Sequence, residues 1–260
     1  MTNFKYKIST WNLDRPTNNS ERAELILNKI LKDNSDILIL TETSNAIDLS
    51  ENYKFSLKAK PFERTPNEHW ITIWTKWEIS KQLETFNENR TTCGLIKTPF
   101  GEIIIYGTII PYHMAGVSGM RYGNLNYKTW QYHEEDIYKQ SDDWKRIITE
   151  NPDIPLFVIG DFNQCRMNGM GGYGTVEMKN LLTKKLNESN LLCVSEKDFS
   201  EEYLTKDPRK GTIRKNIDHI CVSKSWFEKV ESFEVGAWNN FNEEGKLLSD
   251  HNGVFMYFDR

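Results

Sequence analysis

The chain reads as an α/β protein: a four-layer α/β/β/α sandwich in which two mixed sheets pack face to face and helices cover the outside. Three observations predict this. Short apolar, β-branched runs recur along the whole length, several of them apolar enough to be buried on both faces. Stretches of helical periodicity occur in both halves, so each half can supply a sheet and its covering helices. Polar clusters at strand ends run from residue 12 to residue 251, so any cut would divide them, and residues 1–260 are expected to form one domain.

Taken in order, strands are expected at residues 4–11 (FKYKISTW), 36–42 (DILILTE), 53–59, 69–77, 91–97, 102–110 (EIIIYGTII), 155–160 (PLFVIG), 217–223 (IDHICVS), 230–237 and 253–258 (GVFMYF). Helices are expected at 21–33 (ERAELILNKILKD), 133–150 and 175–189 (TVEMKNLLTKKLNES), each with apolar residues three and four apart. Two irregular segments, 114–127 and 165–174, are rich in Gly and Asn, residues that take positive φ and let backbone approach a ligand. Each follows a strand end that carries polar residues.

Composition narrows the function. With 38% hydrophobic residues there is ample material for a core, and no run approaches the roughly 20 apolar residues of a membrane span. The N-terminus lacks the charged and apolar regions of a secretion signal, and the four cysteines are too sparse and too far apart for a disulfide scaffold or a C-x-x-C metal site. A reduced, cytoplasmic protein is expected, and no motif points to a protein partner. The net charge of -4 leaves the molecule without an overall electrostatic footprint for nucleic acid. The best local basic patch is 206–215, with five basic residues against one acidic, including Arg214 and Lys215.

The strand-end clusters carry the chemistry. They are Trp11-Asn12-Leu13-Asp14, Thr41-Glu42-Thr43, Gly160-Asp161-Phe162-Asn163, Ile217-Asp218-His219 and Ser249-Asp250-His251. Glu42 and Asp161 are hard oxygen ligands of the kind Mg²⁺ or Mn²⁺ prefers. Asn12 and Asn163 each offer an acceptor and a donor for orienting a ligand or touching a phosphate oxygen. Asp218 with His251 makes a carboxylate-imidazole pair, the carboxylate setting the tautomer and stabilising the charged ring. Together these groups read as a hydrolytic metal centre for phosphodiesters. Taken singly, GDFN reads as a turn, Glu42 as a strand-end cap and His219 as a structural histidine.

The pieces TWNLD, ILILTET, GDFNQ, NIDHI and LSDH resemble, in order and rough spacing, the endonuclease/exonuclease/phosphatase superfamily, whose members include pancreatic deoxyribonuclease, apurinic endonucleases, neutral sphingomyelinases and inositol polyphosphate phosphatases. The resemblance covers essentially the whole chain. It implies Glu42 as the principal ligand of Mg²⁺ (or Mn²⁺), with Asn12 and Asp14 beside it and Asp250 as a further metal-side carboxylate. It also implies that Asp161 and Asn163 position the nucleophilic water and hold the transition-state oxyanion, while His251 pairs with Asp218.

Many members of the superfamily carry a His or Tyr in the strand before the long loop, where this chain has Ile109 and Ile110. His113, just past Pro111, is the expected replacement, reaching the cleft as an acid-base group. The strand resembles a bacterial branch with a YGT..P.H strand, a later W..H and a Q..DW helix, matched here by Trp130, His133, Gln140, Asp143 and Trp144. Tyr112, Arg121, Arg166, Arg214 and Lys215 are the candidates for contacting substrate.

Three functions fit these readings: a nuclease acting on DNA or RNA, a phosphoesterase acting on a small phosphoester or a phosphoinositide or phospholipid head group, and a catalytically silent module binding nucleic acid or phosphate. The acidic balance leans toward the second. The complete set of Glu42, Asp161, Asn163, Asp218 and His251 argues against the third.

Overall fold

The computed structural model describes residues 5–61, 65–120, 125–166, 172–197, 199, 206–207, 212–213 and 215–260. The first sheet holds β1 (Tyr6–Asn12), β2 (Ile37–Ser44), β3 (Phe55–Lys58), β4 (Glu68–Thr75), β13 (Ser232–Trp238) and β14 (Gly253–Asp259), in the order β13-β14-β1-β2-β4-β3. The second holds β5 (Ile79–Leu83), β6 (Thr91–Thr98), β7 (Gly101–Ile109), β8 (Leu156–Asp161), β9 (Leu191–Cys193) and β12 (Asp218–Ser223), in the order β5-β6-β7-β8-β12-β9. Helices α1 (Glu21–Asp33), α2 (Gln131–Glu150), α3 (Val176–Glu188) and the short α4 (Lys224–Phe227) complete the described elements, with a two-stranded ribbon of β10 (Lys206–Asp207) and β11 (Thr212–Ile213).

Burial follows the strand period. The inner faces of both sheets meet in one core, in which Ile8, Ile39, Ile71 and Ile73 from the first sheet join Ile103, Ile105, Phe157, Ile159 and Ile220 from the second. The outer face of the first sheet packs on α1 through Leu38, Leu40, Ile26 and Ile30. The outer face of the second packs on α2 and α3 through Ile104, Tyr106, Val158, Ile137, Trp144 and Leu182. This is the expected four-layer sandwich.

The Tyr106-Gly107-Thr108 stretch shows how one strand serves both sides. Tyr106 and Thr108 face α2, where the Tyr106 hydroxyl donates to Asp143 (3.0 Å) and the Thr108 hydroxyl donates to Gln140 (2.6 Å). Gly107 faces the other sheet, and a Cβ there would stand 2.7 Å from the Ile71 side chain, so glycine lets the sheets approach. Trp144 packs edge-on against Tyr106, which completes the role of the Q..DW helix.

Two helices start on capping side chains. Ser20 caps α1 by accepting from the Ala23 N–H, and Thr175 caps α3 by accepting from the Met178 N–H. Helix α2 begins differently, at Trp130 with φ of 70° and no side-chain cap. Its entry is held by the Trp130 N–H donating to the His113 carbonyl at 2.8 Å.

Candidate active site

Strand pairing assembles the site. Because β1 and β2 run parallel, with Asn12 opposite Thr41, the residues after Asn12 lie beside Glu42. Because β12 runs antiparallel to β8, the start of one meets the end of the other, and Asp218 is the register partner of Asp161. The segment before β14 is tied to the end of β1: the Trp11 indole N–H donates to the His251 carbonyl (2.9 Å) and the Ser249 hydroxyl to the Asn12 carbonyl (2.5 Å).

Gly160 explains the GD pair. Its φ of +144° and the Thr108 carbonyl oxygen, 2.0 Å from where a Cβ would be, leave room for glycine alone. Asp161 is thereby set at the strand end, its Oδ1 accepting from the Asn163 N–H (2.8 Å) and its Oδ2 from the Asn12 amide (3.0 Å) and the Asn163 amide (3.1 Å). Asn163 also donates to the Ile110 carbonyl at 2.9 Å. Gln164 is gripped from two sides, its carbonyl accepting from His219 Nε2 (3.0 Å) and its side-chain amide donating to His133 Nε2 (3.2 Å). Both histidines are fully buried, and both steady the turn that carries Asp161 and Asn163.

Asp161, Asp218 and His251 form the centre, each offering an atom within 4.8 Å of the others. His251 Nδ1 donates to Asp218 Oδ2 at 2.6 Å, which directs Nε2 away from Asp218, with Asp250 Oδ1 3.8 Å from it. Burial alone would lower the His251 ring, but Asp218 foremost, then Asp250 and Asp161, raise it to about 10. Burial is the largest influence on Asp161, raising it to about 8, with Asp218 and Glu42 adding to the effect and His251 opposing it. Asp14 is also raised, by burial first and then by Asp250.

This is a crowd of carboxylates, and Asp218 Oδ1 is buried with no hydrogen-bond partner among the described residues. An oxygen-rich, negatively charged cluster with an orphaned oxygen fits a hard divalent cation. The residues able to hold one are Asp161 and Asp218 at the centre, with Glu42, Asn12, Asp14 and Asp250 around it, while His251, charged by its carboxylate neighbours, stands beside them as a donor.

Several expected residues sit elsewhere. His113 does not join the Asp161–Asp218–His251 group. Its backbone N–H and its Nδ1 both meet the Tyr173 hydroxyl (3.1 and 2.5 Å), and its ring packs on Trp130, Tyr173 and Tyr112. Burial lowers its pKa, in keeping with Nδ1 accepting from the tyrosine. His133, the histidine of W..H, donates through Nδ1 to the Pro111 carbonyl at 2.7 Å and packs edge-on against Trp130, so the motif braces the corner on which His113 stands.

Arg166 corrects its expectation. It is buried and donates to the Lys179 carbonyl (3.3 Å) and the Thr183 hydroxyl (2.6 Å), so its guanidinium satisfies α3 instead of facing the cleft. Tyr112 is half-buried against His113, and Lys215 lies beside Gly172. Arg121 and Arg214 lie outside the described residues. Sequence reasoning missed Arg15, which grips Glu42 through Nε at 2.6 Å and through Nη2; its position directly after Asp14 was the available signal.

A two-sheet sandwich with a buried carboxylate-imidazole centre at its strand ends defines a class of phosphoester hydrolases. The family described as Endonuclease/Exonuclease/phosphatase matches residues 9–251, and the chain belongs to it. Solved structures share the fold. The structure of SmcL is 15% identical with a TM-score of 0.66, covering 98% of this chain and 99% of that one. An AP endonuclease from Archaeoglobus fulgidus is 14% identical with a TM-score of 0.65, covering 98% and 100%. The endonuclease domain of TRAS1, a telomere-specific non-LTR retrotransposon, is 15% identical with a TM-score of 0.60, covering 97% of each chain. No curated protein matches the sequence. Among the described residues no helix is long and apolar enough to cross a membrane.

Proposed function

We propose that the protein is a divalent-metal-dependent phosphodiesterase that cuts DNA or RNA, using Mg²⁺ or Mn²⁺ in a reduced, cytoplasmic setting and both sheets as one catalytic unit. The observation that carries this reading is the buried Asp161–Asp218–His251 group, with Glu42 near enough to raise Asp161. Family membership and the nucleases among the structural neighbours support it. The metal, when bound, supplies charge that neutralises the phosphate and activates water.

The chain's own residues supply the rest. His251, kept charged by Asp218, offers Nε2–H to an oxygen of the scissile phosphate, where negative charge grows as water attacks. Asp161, fixed by Asn12 and Asn163, accepts the proton that water gives up. The Asn163 amide is shared between Asp161 and the Ile110 carbonyl, so the turn is rigid before substrate arrives. The net charge of -4 favours a second reading, in which the same centre opens a small phosphoester.

The test is hydrolysis of single- and double-stranded DNA, RNA, bis-p-nitrophenyl phosphate and small phosphoesters with Mg²⁺ or Mn²⁺, against EDTA. Metal-dependent cleavage of a polynucleotide supports the nuclease. Turnover of small phosphoesters alone supports the second reading, and binding without turnover of anything refutes both.

A further inference from the structure

Arg15 holds Glu42 in an unusual way. Its backbone N–H donates to the Glu42 carbonyl (2.7 Å), while Nε and Nη2 both donate to Glu42 Oε2. The guanidinium carbon lies 5.3 Å from the centre of the Trp70 ring, which supports it from a third side. The two side chains are 21% and 16% exposed, so the pair is largely withdrawn from solvent yet open to exchange.

The backbone beneath the pair is costly. Asp14, Arg15 and Glu42 all have positive φ, at 49°, 48° and 45°. Non-glycine residues persist there when surrounding contacts over-determine them, and such positions cluster at working sites. The turn is pinned by Arg22, which donates to the carbonyls of Leu13 (3.2 Å), Asp14 (2.6 Å) and Leu248 (2.8 Å).

We propose that Arg15 is a built-in counter-ion that neutralises Glu42 before metal arrives, is displaced from it when a divalent cation binds, and then turns to the substrate phosphate. The inference rests on Glu42 being a metal ligand. A doubly charged ion outcompetes a guanidinium for one carboxylate, and two cations at that oxygen repel. The freed guanidinium stays beside the centre, held by its turn and by Trp70, and a phosphate is the anion it suits best. Arg15 is therefore a competitor of the metal at Glu42 and a binding residue for phosphate.

Mg²⁺ alone, titrated by calorimetry into the whole protein, reads the exchange, and inorganic phosphate titrated into the Mg²⁺-loaded protein reads the second role. Arg15→Gln should tighten Mg²⁺ about tenfold and weaken phosphate about tenfold, the size expected of charge-assisted hydrogen bonds. Arg15→Lys, which keeps the charge, should stay within about threefold of the parent for Mg²⁺. The added thermal stability from Mg²⁺ should be larger in Arg15→Gln than in the parent, which also reports that the variant folds. Unchanged or weaker Mg²⁺ binding in Arg15→Gln overturns the exchange, and unchanged phosphate binding overturns the second role. Glu42→Gln separates the layers. If it leaves Mg²⁺ affinity unaltered, the metal assignment itself is at fault. If it weakens Mg²⁺ while Arg15→Gln changes nothing, only the role of Arg15 fails.

Discussion

The Asn12 side-chain amide donates to Asp161 Oδ2 at 3.0 Å, joining two residues 149 positions apart on different sheets. The same Asp161 oxygen accepts from the Asn163 amide on its own turn. The first sheet thus reaches across the core to fix a carboxylate of the second, and the relative placement of the sheets sets the geometry of the centre. Remote changes at the inter-sheet core should therefore act on catalysis through orientation, where small misplacements are costly.

Asp218 and His251 should behave as one unit, because the 2.6 Å bond between them both orients and charges the ring. Asp218→Ala and His251→Ala are each expected to lower kcat by orders of magnitude, and the double variant by little more. Single-turnover rates on bis-p-nitrophenyl phosphate decide this. Additive losses would show that the residues act separately.

His113→Ala should cost less than the roughly 100-fold of a general acid or base. Its Nδ1 is engaged by the Tyr173 hydroxyl, and its ring partners are Trp130, Tyr112 and Tyr173 rather than members of the centre. A loss of about tenfold, with a matching loss in Tyr173→Phe, is expected from kcat measured at saturating substrate. A 100-fold drop confined to His113→Ala would place its ring in the chemistry after all.

Gly160→Ala should fail to fold stably. The new Cβ would meet the Thr108 carbonyl oxygen at 2.0 Å, and backbone on an inner strand of the second sheet cannot move aside. Low soluble yield, or a melting temperature lowered by well over ten degrees, is the expected result. A protein of parental stability would mean that β7 and β8 part easily.

Burial pushes His133 down to about 4, so the native state keeps the ring neutral while the unfolded chain takes up a proton near 6.5. The folded pKa lies below the unfolded one, so its contribution to stability is complete above pH 6.5 and is lost as the pH falls toward 4. Thermal melts between pH 7.5 and 4 should show a decline that His133→Gln, less stable at neutrality, reduces. Parallel curves for the two proteins would remove His133 as its cause.

The fold was legible where apolar runs were long. Residues 36–42 and 102–110 announce β2 and β7 because both faces are buried, and helices α1 and α3 show apolar residues three and four apart, whose stripes are buried. Strand β5 left no such signal, because ISKQL lies at a sheet edge with only Ile79 and Leu83 partly covered. Strand β9 is three residues long, too short to display a period. The site was legible as residue types at strand ends. Arg15 and Glu42 met only through the parallel pairing of β1 with β2, which local pattern does not reveal. Arg166 read as a loop cation because nothing local tells that its guanidinium binds α3.

Strand β1 pairs with β14, Tyr6 against Phe258, so one segment waits for a partner made long after it. During synthesis Glu42, Asp161 and Asp218 emerge well before His251, whose carbonyl must still find Trp11, 240 positions back. Such distant pairings form late. The centre is thereby left incomplete until β14 docks, and a chain broken off before residue 251 should have no hydrolytic activity to restrain.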